Sequence, residues 1–285
     1  MICLSKKWMW FGMLFVMAAT GAASPGPARA EETLTIGGSG SWLGVIQVLA
    51  KAYTRRHPEV AIKVPPSLGT EGGIKAVLQG ELDIALISRP LKDPERAAGA
   101  TAVETARTPF VFVTSSKSVS LKMSTVELEK IFSGEVQSWP DGTHLRLVLR
   151  PEREATTIIL KGISPGMDSA VNAALIRPGM TFAVTDQEAA DLAEKTPGSF
   201  SSLTLTQILT EKRNVRVFAF NGVRPGVKTL ASEAYPLFKP LYLTTTPKTR
   251  PAALHFIEFI RSKAGKKILE ENGCQYVEGS GTSRP

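Results

Sequence analysis

The segment LRLVLRPEREATT, residues 145–157, collects charged and hydroxyl side chains that could hold an anion. An apolar strand pattern ends at Arg150, and Glu154, Thr156 and Thr157 follow it closely. A guanidinium with hydroxyl donors beside it suits a phosphate-like group, whereas a carboxylate repels one. The segment is therefore either part of an anion pocket or an exposed charged turn, and its own residues leave both interpretations open.

Two glycine-rich turns carry further hydroxyl groups, and each joins a strand pattern to a helix pattern. They are GSGS at 38–41 and SLGTEGG at 67–73. Backbone N–H groups at a helix start attract anions, and in an α/β sheet both turns would meet at one edge. Ser88 follows a third strand pattern at the same edge. For the first turn, a serine cap without a ligand is the alternative.

The residues needed for catalysis or metal binding are sparse. The three histidines lie in unrelated settings, and no serine sits in a GxSxG motif. No Cys/His group has metal-ligand spacing. We therefore predict no catalytic residue, no metal and no cofactor, and we expect the protein not to be an enzyme.

The elements that would position these residues alternate between strand and helix, which indicates an α/β fold. Strand patterns include TLTIGG, VAIKVPP, DIALISR, FVFVTSS, LRLVLR, VRVFAF and PLYLTTT. Between them lie helix patterns such as SWLGVIQVLAKAY and DQEAADLAEK, the latter beginning at Asp186. In STVELEKIFSG, Ser124 and Glu127 have capping-box spacing and Gly134 is the predicted end of the helix.

The first thirty residues have the composition of a signal peptide. Lys6 and Lys7 precede the apolar run WMWFGMLFVMAATGAA, and Ala28-Arg29-Ala30 fits a peptidase site. We predict export to the periplasm with cleavage near Ala30. A retained N-terminal anchor is the alternative.

The charge and cysteine content narrow the class of partner. Cleavage would lower the net charge from +8 to about +5, and no basic run suits a nucleic-acid backbone. Cys274 would then be the single cysteine, so an intramolecular disulfide is impossible. We expect a monomer that binds a small anion and no nucleic acid.

Several longer segments resemble the phosphate-type periplasmic solute-binding proteins of ABC transporters. They are GSGSWLGVIQVLAKAY, HPEVAIKVPPSLGTEGGIKAVLQGELDIALISRPL, IFSGEVQSW, FNGVRPGVKTLASEAYPLFKPLYLTTT and FIEFIRSKAGKKIL. They occur in the family's order over nearly the whole chain after residue 30. No single segment is specific for this family, but the segments together are.

This resemblance implies an α/β, bilobed periplasmic-binding-protein-like fold of type II. Two α/β lobes would be joined by two hinge crossovers, near FVFVTSS and PLYLTTT, with the ligand between the lobes. The first lobe would comprise 31–111 and 243–285, and the second 112–242.

The resemblance also implies which residues bind the ligand. Ser41 and the backbone of Trp42 would donate from the first helix start, and Thr70 from the second. The six matching positions are Ser41, Trp42, Thr70, Ser88, Arg150 and Thr156.

One triplet departs from the family pattern. Where the family has Ser-Gly-Thr, this chain has Glu154-Ala155-Thr156. A unit repulsion at about 4 Å is roughly 4 kcal/mol at a dielectric constant of 20, or about three decades of affinity. A one-residue slip would place Ala155-Thr156-Thr157 in the site and turn Glu154 outward. Both registers stay open.

The resemblance therefore implies a periplasmic protein that captures phosphate or a related oxyanion for an ABC permease. The alternative is a diverged binding module of the same fold with a non-phosphate ligand, or with a sensor or accessory role. An exported hydrolase is less favoured, because only the serine-rich turns support it.

Overall fold

The computed structural model describes residues 32–117 and 120–278, which lie within one compact unit, Glu31–Pro285. The predicted signal peptide, residues 1–30, lies outside the described residues. Within those residues, no helix combines the length and apolarity that a membrane crossing would require.

Strands and helices alternate along most of the chain, as the sequence patterns predict. The strands are β1 Glu32–Gly38, β2 Val60–Lys63, β3 Ile84–Ile87, β4 Thr101–Thr114, β5 Lys122–Met123, β6 Arg146–Leu149, β7 Thr181–Phe182, β8 Ser199–Thr204, β9 Arg216–Val217, β10 Ala219–Phe220, β11 Phe238–Thr245 and β12 Gln275–Tyr276. The helices are α1 Leu43–Thr54, α2 Gly69–Gln79, α3 Asp93–Ala97, α4 Thr125–Ser133, α5 Ala155–Lys161, α6 Pro165–Ile176, α7 Asp186–Lys195, α8 Leu205–Glu211, α9 Val227–Ala231, α10 Pro251–Arg261 and α11 Lys263–Glu271. A 3₁₀ turn, Gly40–Trp42, lies between β1 and α1.

Most strands join one continuous mixed sheet. Its order is β2–β1–β3–β11–β4–β8–β6–β7, and β9 and β12 also pair with β4. Strand β1 is parallel to β2 and β3, and β6 is parallel to β7 and β8. By contrast, β11 is antiparallel to β3 and β4, and β4 is antiparallel to β8. The antiparallel strands thus lie in the middle, between two parallel groups.

The two central strands connect two lobes. The first part of β4 pairs with β11, up to Pro109 opposite Phe238, and its last part, Phe110 to Val113, pairs with β8. The first lobe is built on β2–β1–β3 and the second on β8–β6–β7. The chain therefore has the predicted bilobed α/β fold, with crossovers in β4 and β11. Both predicted lobe boundaries fall inside these strands, and the residue assignments of the lobes stay a prediction.

Each lobe buries apolar side chains on both faces of its part of the sheet. In β3, Ile84 and Leu86 contact one core cluster and Ala85 and Ile87 another. In β4, Phe110 and Phe112 face one cluster while the intervening valines face a second. Because successive side chains of a strand point to opposite faces, helices can cover the sheet on both sides.

The predicted helix signals of α4 are confirmed. Ser124 Oγ accepts from the Glu127 N–H at 3.2 Å, and Glu127 Oε2 accepts from the Ser124 N–H at 2.7 Å. Gly134 ends the helix in the left-handed conformation, with φ at 88°. The patterns did not predict α5 or β8. Helix α5 is a short helix directly after the charged turn, and β8 is rich in serine, so neither has a strong apolar period.

Candidate functional site

Arg150 lies at the end of β6 and is almost completely buried, with 4% of its surface exposed. Its Nη2 lies 3.4 Å from Glu154 Oε2 and 3.9 Å from Asp186 Oδ1. Its Nε and Nη1 have no hydrogen-bond partner within the described residues. Within the described residues, six buried side-chain nitrogen or oxygen atoms lack a hydrogen-bond partner, and of these only Arg150 Nε and Nη1 belong to a charged group. A buried guanidinium with free donors needs an acceptor, because an unmade hydrogen bond at a buried charge is costly.

A second cation, Lys239 of β11, lies in the same cluster and is 1% exposed. Its ammonium donates to Ser41 Oγ at 2.8 Å and to Asp186 Oδ1 at 3.0 Å, and Thr156 Oγ1 lies at 3.4 Å. These three oxygens match the three protons of an ammonium group. Sequence reasoning missed this residue. The sequence feature that could have identified it is the alternation of residues in β11, which puts Lys239 on the buried face with Leu241 and Leu243.

Asp186 supplies a carboxylate to the cluster from the first position of α7. Its Oδ2 accepts from the backbone N–H of Ser41 at 3.0 Å. Burial would raise the pKa of this carboxyl, but the Lys239 ammonium and the Arg150 guanidinium outweigh burial and lower its pKa from 3.8 to about 2. Asp186 is therefore ionised at neutral pH. The sequence analysis placed it at a helix start but did not assign it to the site.

The two donors predicted from the first glycine turn, Ser41 and the backbone of Trp42, differ in their hydrogen-bond partners. The Ser41 N–H and hydroxyl both point into the charged cluster. The Trp42 N–H instead donates to Ser39 O at 3.2 Å within the 3₁₀ turn. The Trp42 indole is fully buried and donates to Ser88 Oγ at 3.0 Å and to Pro240 O at 3.2 Å.

Thr70 and Ser88 form a neighbouring hydroxyl network. The Ser88 N–H donates to Thr70 Oγ1 at 3.1 Å, and the Ser88 hydroxyl donates to Ser39 Oγ at 2.9 Å. The indole of Trp42 links this network to β11 through Pro240. The structure thus brings Ser41, Arg150 and Thr156 together at one cluster, and places the other three predicted residues in an adjoining network. Their assignment as ligand-binding residues stays a prediction.

The register of the departing triplet is the first of the two alternatives. Thr156 lies beside Lys239, whereas the Thr157 hydroxyl donates to the carbonyls of Arg150 and Pro151, at 3.1 and 3.0 Å. Glu154 occupies the N-cap position of α5, but its side chain accepts no hydrogen bond from the helix N–H groups. It lies next to Arg150 instead. The carboxylate therefore neutralises part of the arginine charge.

The cluster joins the two lobes across the cleft. Besides the Asp186–Ser41 contact, Gln187 Nε2 donates to Gly40 O at 2.9 Å. A Cβ on Gly40 would lie 2.5 Å from Gln187 Oε1 and 2.9 Å from Asp186 Oδ2, so the ends of these two side chains fill the space beside Gly40.

Chemically, the cluster can hold an oxyanion. It offers the free guanidinium donors, a second buried cation and two hydroxyls, against two carboxylates. In the described part of the chain, no three His, Cys, Asp or Glu side chains group as metal ligands would.

Comparisons with known proteins agree with this fold. Phosphate-binding protein PstS of Bacillus subtilis is 22% identical over 259 residues, which are 88% of this chain and 83% of that protein. An ABC-type phosphate transport receptor from Vibrio cholerae aligns with a TM-score of 0.61 at 21% identity, over 86% of this chain and all of that one. A Clostridium perfringens protein crystallised with bound phosphate aligns with a TM-score of 0.73 at 20% identity, over 87% of this chain and all of that one.

The family model described as the PBP superfamily domain matches residues 23–264. This match spans both lobes and every residue of the charged cluster. The chain therefore belongs to the PBP superfamily.

Proposed function

We propose that this protein captures phosphate or a related small oxyanion between its lobes and delivers it to an ABC permease. The observation that carries the proposal is the buried Arg150 guanidinium, whose Nε and Nη1 lack partners among the described residues. An oxyanion supplies several acceptor oxygens at once, which a guanidinium binds strongly. The names of the relatives, phosphate-binding protein and phosphate transport receptor, support the same ligand class.

The proposal includes export and the arrangement of the lobes. Residues 1–30 would be removed as a signal peptide, which leaves a periplasmic monomer. Residues 31–111 and 243–285 would move as one lobe and 112–242 as the other, about a hinge in β4 and β11. Ser41, Trp42, Thr70, Ser88, Arg150 and Thr156 would surround the ligand, with Lys239 added from the charged cluster.

Calorimetry on the exported protein tests the ligand. The protein is unfolded, dialysed and refolded to remove any retained anion, then titrated with phosphate, sulfate, molybdate and methylphosphonate. We expect one anion bound per chain. Absence of binding across this panel would reject the oxyanion proposal.

The second candidate is a binding protein of the same fold for a non-phosphate ligand. The observation that favours it is the pair of carboxylates, Glu154 and Asp186, which lie 3.4 and 3.9 Å from the Arg150 guanidinium. They offset the two cations, so a less charged ligand would also be accommodated. Titration of Glu154→Ser separates the two: phosphate binding gained only in that variant favours the second candidate, and tight binding in both proteins rejects it.

A further inference from the structure

Asp186 occupies donors that a bound anion would use. Its two oxygens accept from the Ser41 backbone N–H and from the Lys239 ammonium, at 3.0 Å each. Both donors are within the same buried cluster as the free N–H groups of Arg150. The chain thus places one of its own carboxylates in the position of an anionic ligand.

The same carboxylate connects the lobes. Asp186 begins α7 of the second lobe, whereas Ser41 lies in the 3₁₀ turn of the first. The next residue, Gln187, adds its hydrogen bond to Gly40 O. Two successive residues of one lobe therefore bind two successive residues of the other directly.

We propose that Asp186 is an intramolecular anion, which holds the cleft closed without a ligand and competes with the oxyanion for Ser41 and Lys239. The competition rests on the proposed function, but the closure does not. Because the carboxylate would also repel a nearby anion, Asp186 sets the affinity of the cleft and weakens doubly charged anions most. If Asp186 merely neutralised Lys239, its removal would leave the distance between the lobes unchanged.

The closure is tested first, in ligand-free protein. Leu254→Cys in α10 and Ile176→Cys in α6 place spin labels on exposed positions of the two lobes, while Cys274 is buried and stays unlabelled. We expect short distances to dominate in the parent, and Asp186→Asn to shift the population to longer ones. Asp191→Asn, five residues along the same helix and exposed to solvent, is the control and should match the parent. An unchanged distribution in Asp186→Asn would overturn the closure.

A second variant guards against misfolding of the first. Gly40→Leu leaves every charge in place, but its larger side chain would occupy the space that now holds the ends of the Asp186 and Gln187 side chains. We expect the same shift to longer distances. If Asp186→Asn fails to fold, the Gly40→Leu distances decide, and a parent-like distribution overturns the closure.

The competition is tested by calorimetry with inorganic phosphate. We expect Asp186→Asn to bind phosphate at least ten-fold more tightly than the parent, because the resident carboxylate is gone. Equal or weaker binding in the variant would overturn the competition. If neither protein binds phosphate, the competition for phosphate fails; the full anion panel then judges the proposed function, and the distance measurement judges the closure.

Discussion

At the residue scale, two buried cations of the cluster differ in how well they are satisfied. Lys239 has an oxygen for each of its protons, whereas Arg150 keeps two donors without partners in the described residues. A buried ion whose hydrogen bonds are all made within the chain contributes mainly to stability. A buried ion with unpaired donors can bind an acceptor from outside the chain. We therefore expect the two residues to respond differently to substitution.

Substitution of Arg150 should mainly affect anion binding. Arg150→Gln removes the charge and the free donors, and each lost charge-assisted hydrogen bond is worth about 1.5–3 kcal/mol. We expect the dissociation constant for phosphate to rise roughly 100-fold by calorimetry. Arg146→Gln on the same strand is the control, because Arg146 is exposed and donates to Pro197 O. Equal affinities in Arg150→Gln and the parent would contradict the assignment.

Substitution of Lys239 should mainly affect folding. Lys239→Met leaves the Asp186 carboxylate buried without its nearest cation, which typically costs about 3 kcal/mol. We expect that loss in the free energy of unfolding by urea. The double variant Lys239→Met/Asp186→Asn removes both charges and should recover most of it. A double variant as unstable as the single one would show that the pair is not coupled.

At the element scale, the backbone of Gly38 at the end of β1 lies close to that of Leu86 in β3, where the first glycine turn begins. Gly38 ends β1 opposite Leu86 of β3 and has φ at 133°, which few other residues adopt. A Cβ there would lie 2.3 Å from the Leu86 carbonyl oxygen. The first glycine turn therefore begins at a backbone position beside Leu86 that leaves no room for a Cβ.

A methyl group at Gly38 should disrupt this edge. Gly38→Ala adds a backbone collision to the strain of the positive φ, so we expect at least 2 kcal/mol lower unfolding free energy, in line with strained positions. Gly142→Ala is the control, since Gly142 also has a positive φ, 83°, but has open space around its Cβ position. The control should lose only about 1 kcal/mol. Similar losses in the two variants would contradict the close-approach argument.

At the scale of the whole molecule, several carboxylates with a lowered pKa link stability to acid, and Asp186 and Glu95 are two of them. The neighbouring cations lower the pKa of Asp186 to about 2 against the effect of burial, and the hydrogen bond from Arg89 is the main cause that lowers the pKa of Glu95 to about 2. Both groups stay ionised in the folded chain at a pH where the unfolded chain takes up protons. Their contribution to stability is complete above about pH 5, declines as the unfolded chain takes up protons below that pH, and is lost as the pH falls through about 2.

Thermal unfolding followed from pH 7 to pH 2 checks this linkage. We expect a melting temperature that changes little on account of these two groups down to about pH 5 and then falls. Asp186 is buried, and its shift corresponds to about 2 kcal/mol. In Asp186→Asn the fall between about pH 5 and about pH 2 should therefore be shallower than in the parent. A parent-like slope in Asp186→Asn would contradict the assigned pKa.

Local patterns predicted much of the fold, because helix and strand signals depend on near neighbours. The alternation of β3 and β4, the periodicity of α1 and the caps of α4 all appear in the structure. Helix α5 and strand β8 lacked such signals and were not predicted. The resemblance to the family placed Arg150 and Ser41 among the expected site residues, and the structure brings both into the charged cluster, while their role in ligand binding stays a prediction.

The pairing of charges in the cleft was decided by tertiary packing. Lys239 is 198 residues from Ser41 and 53 from Asp186 along the chain, and no local pattern connects them. They meet because β11 pairs with β4 at the crossover and because α7 begins against the 3₁₀ turn. A propensity reports on the conformation of a few neighbouring residues, whereas burial of an ion pair depends on the whole chain surrounding it. The residues thus predicted an anion-binding fold, and packing alone put a carboxylate of the chain into its cleft.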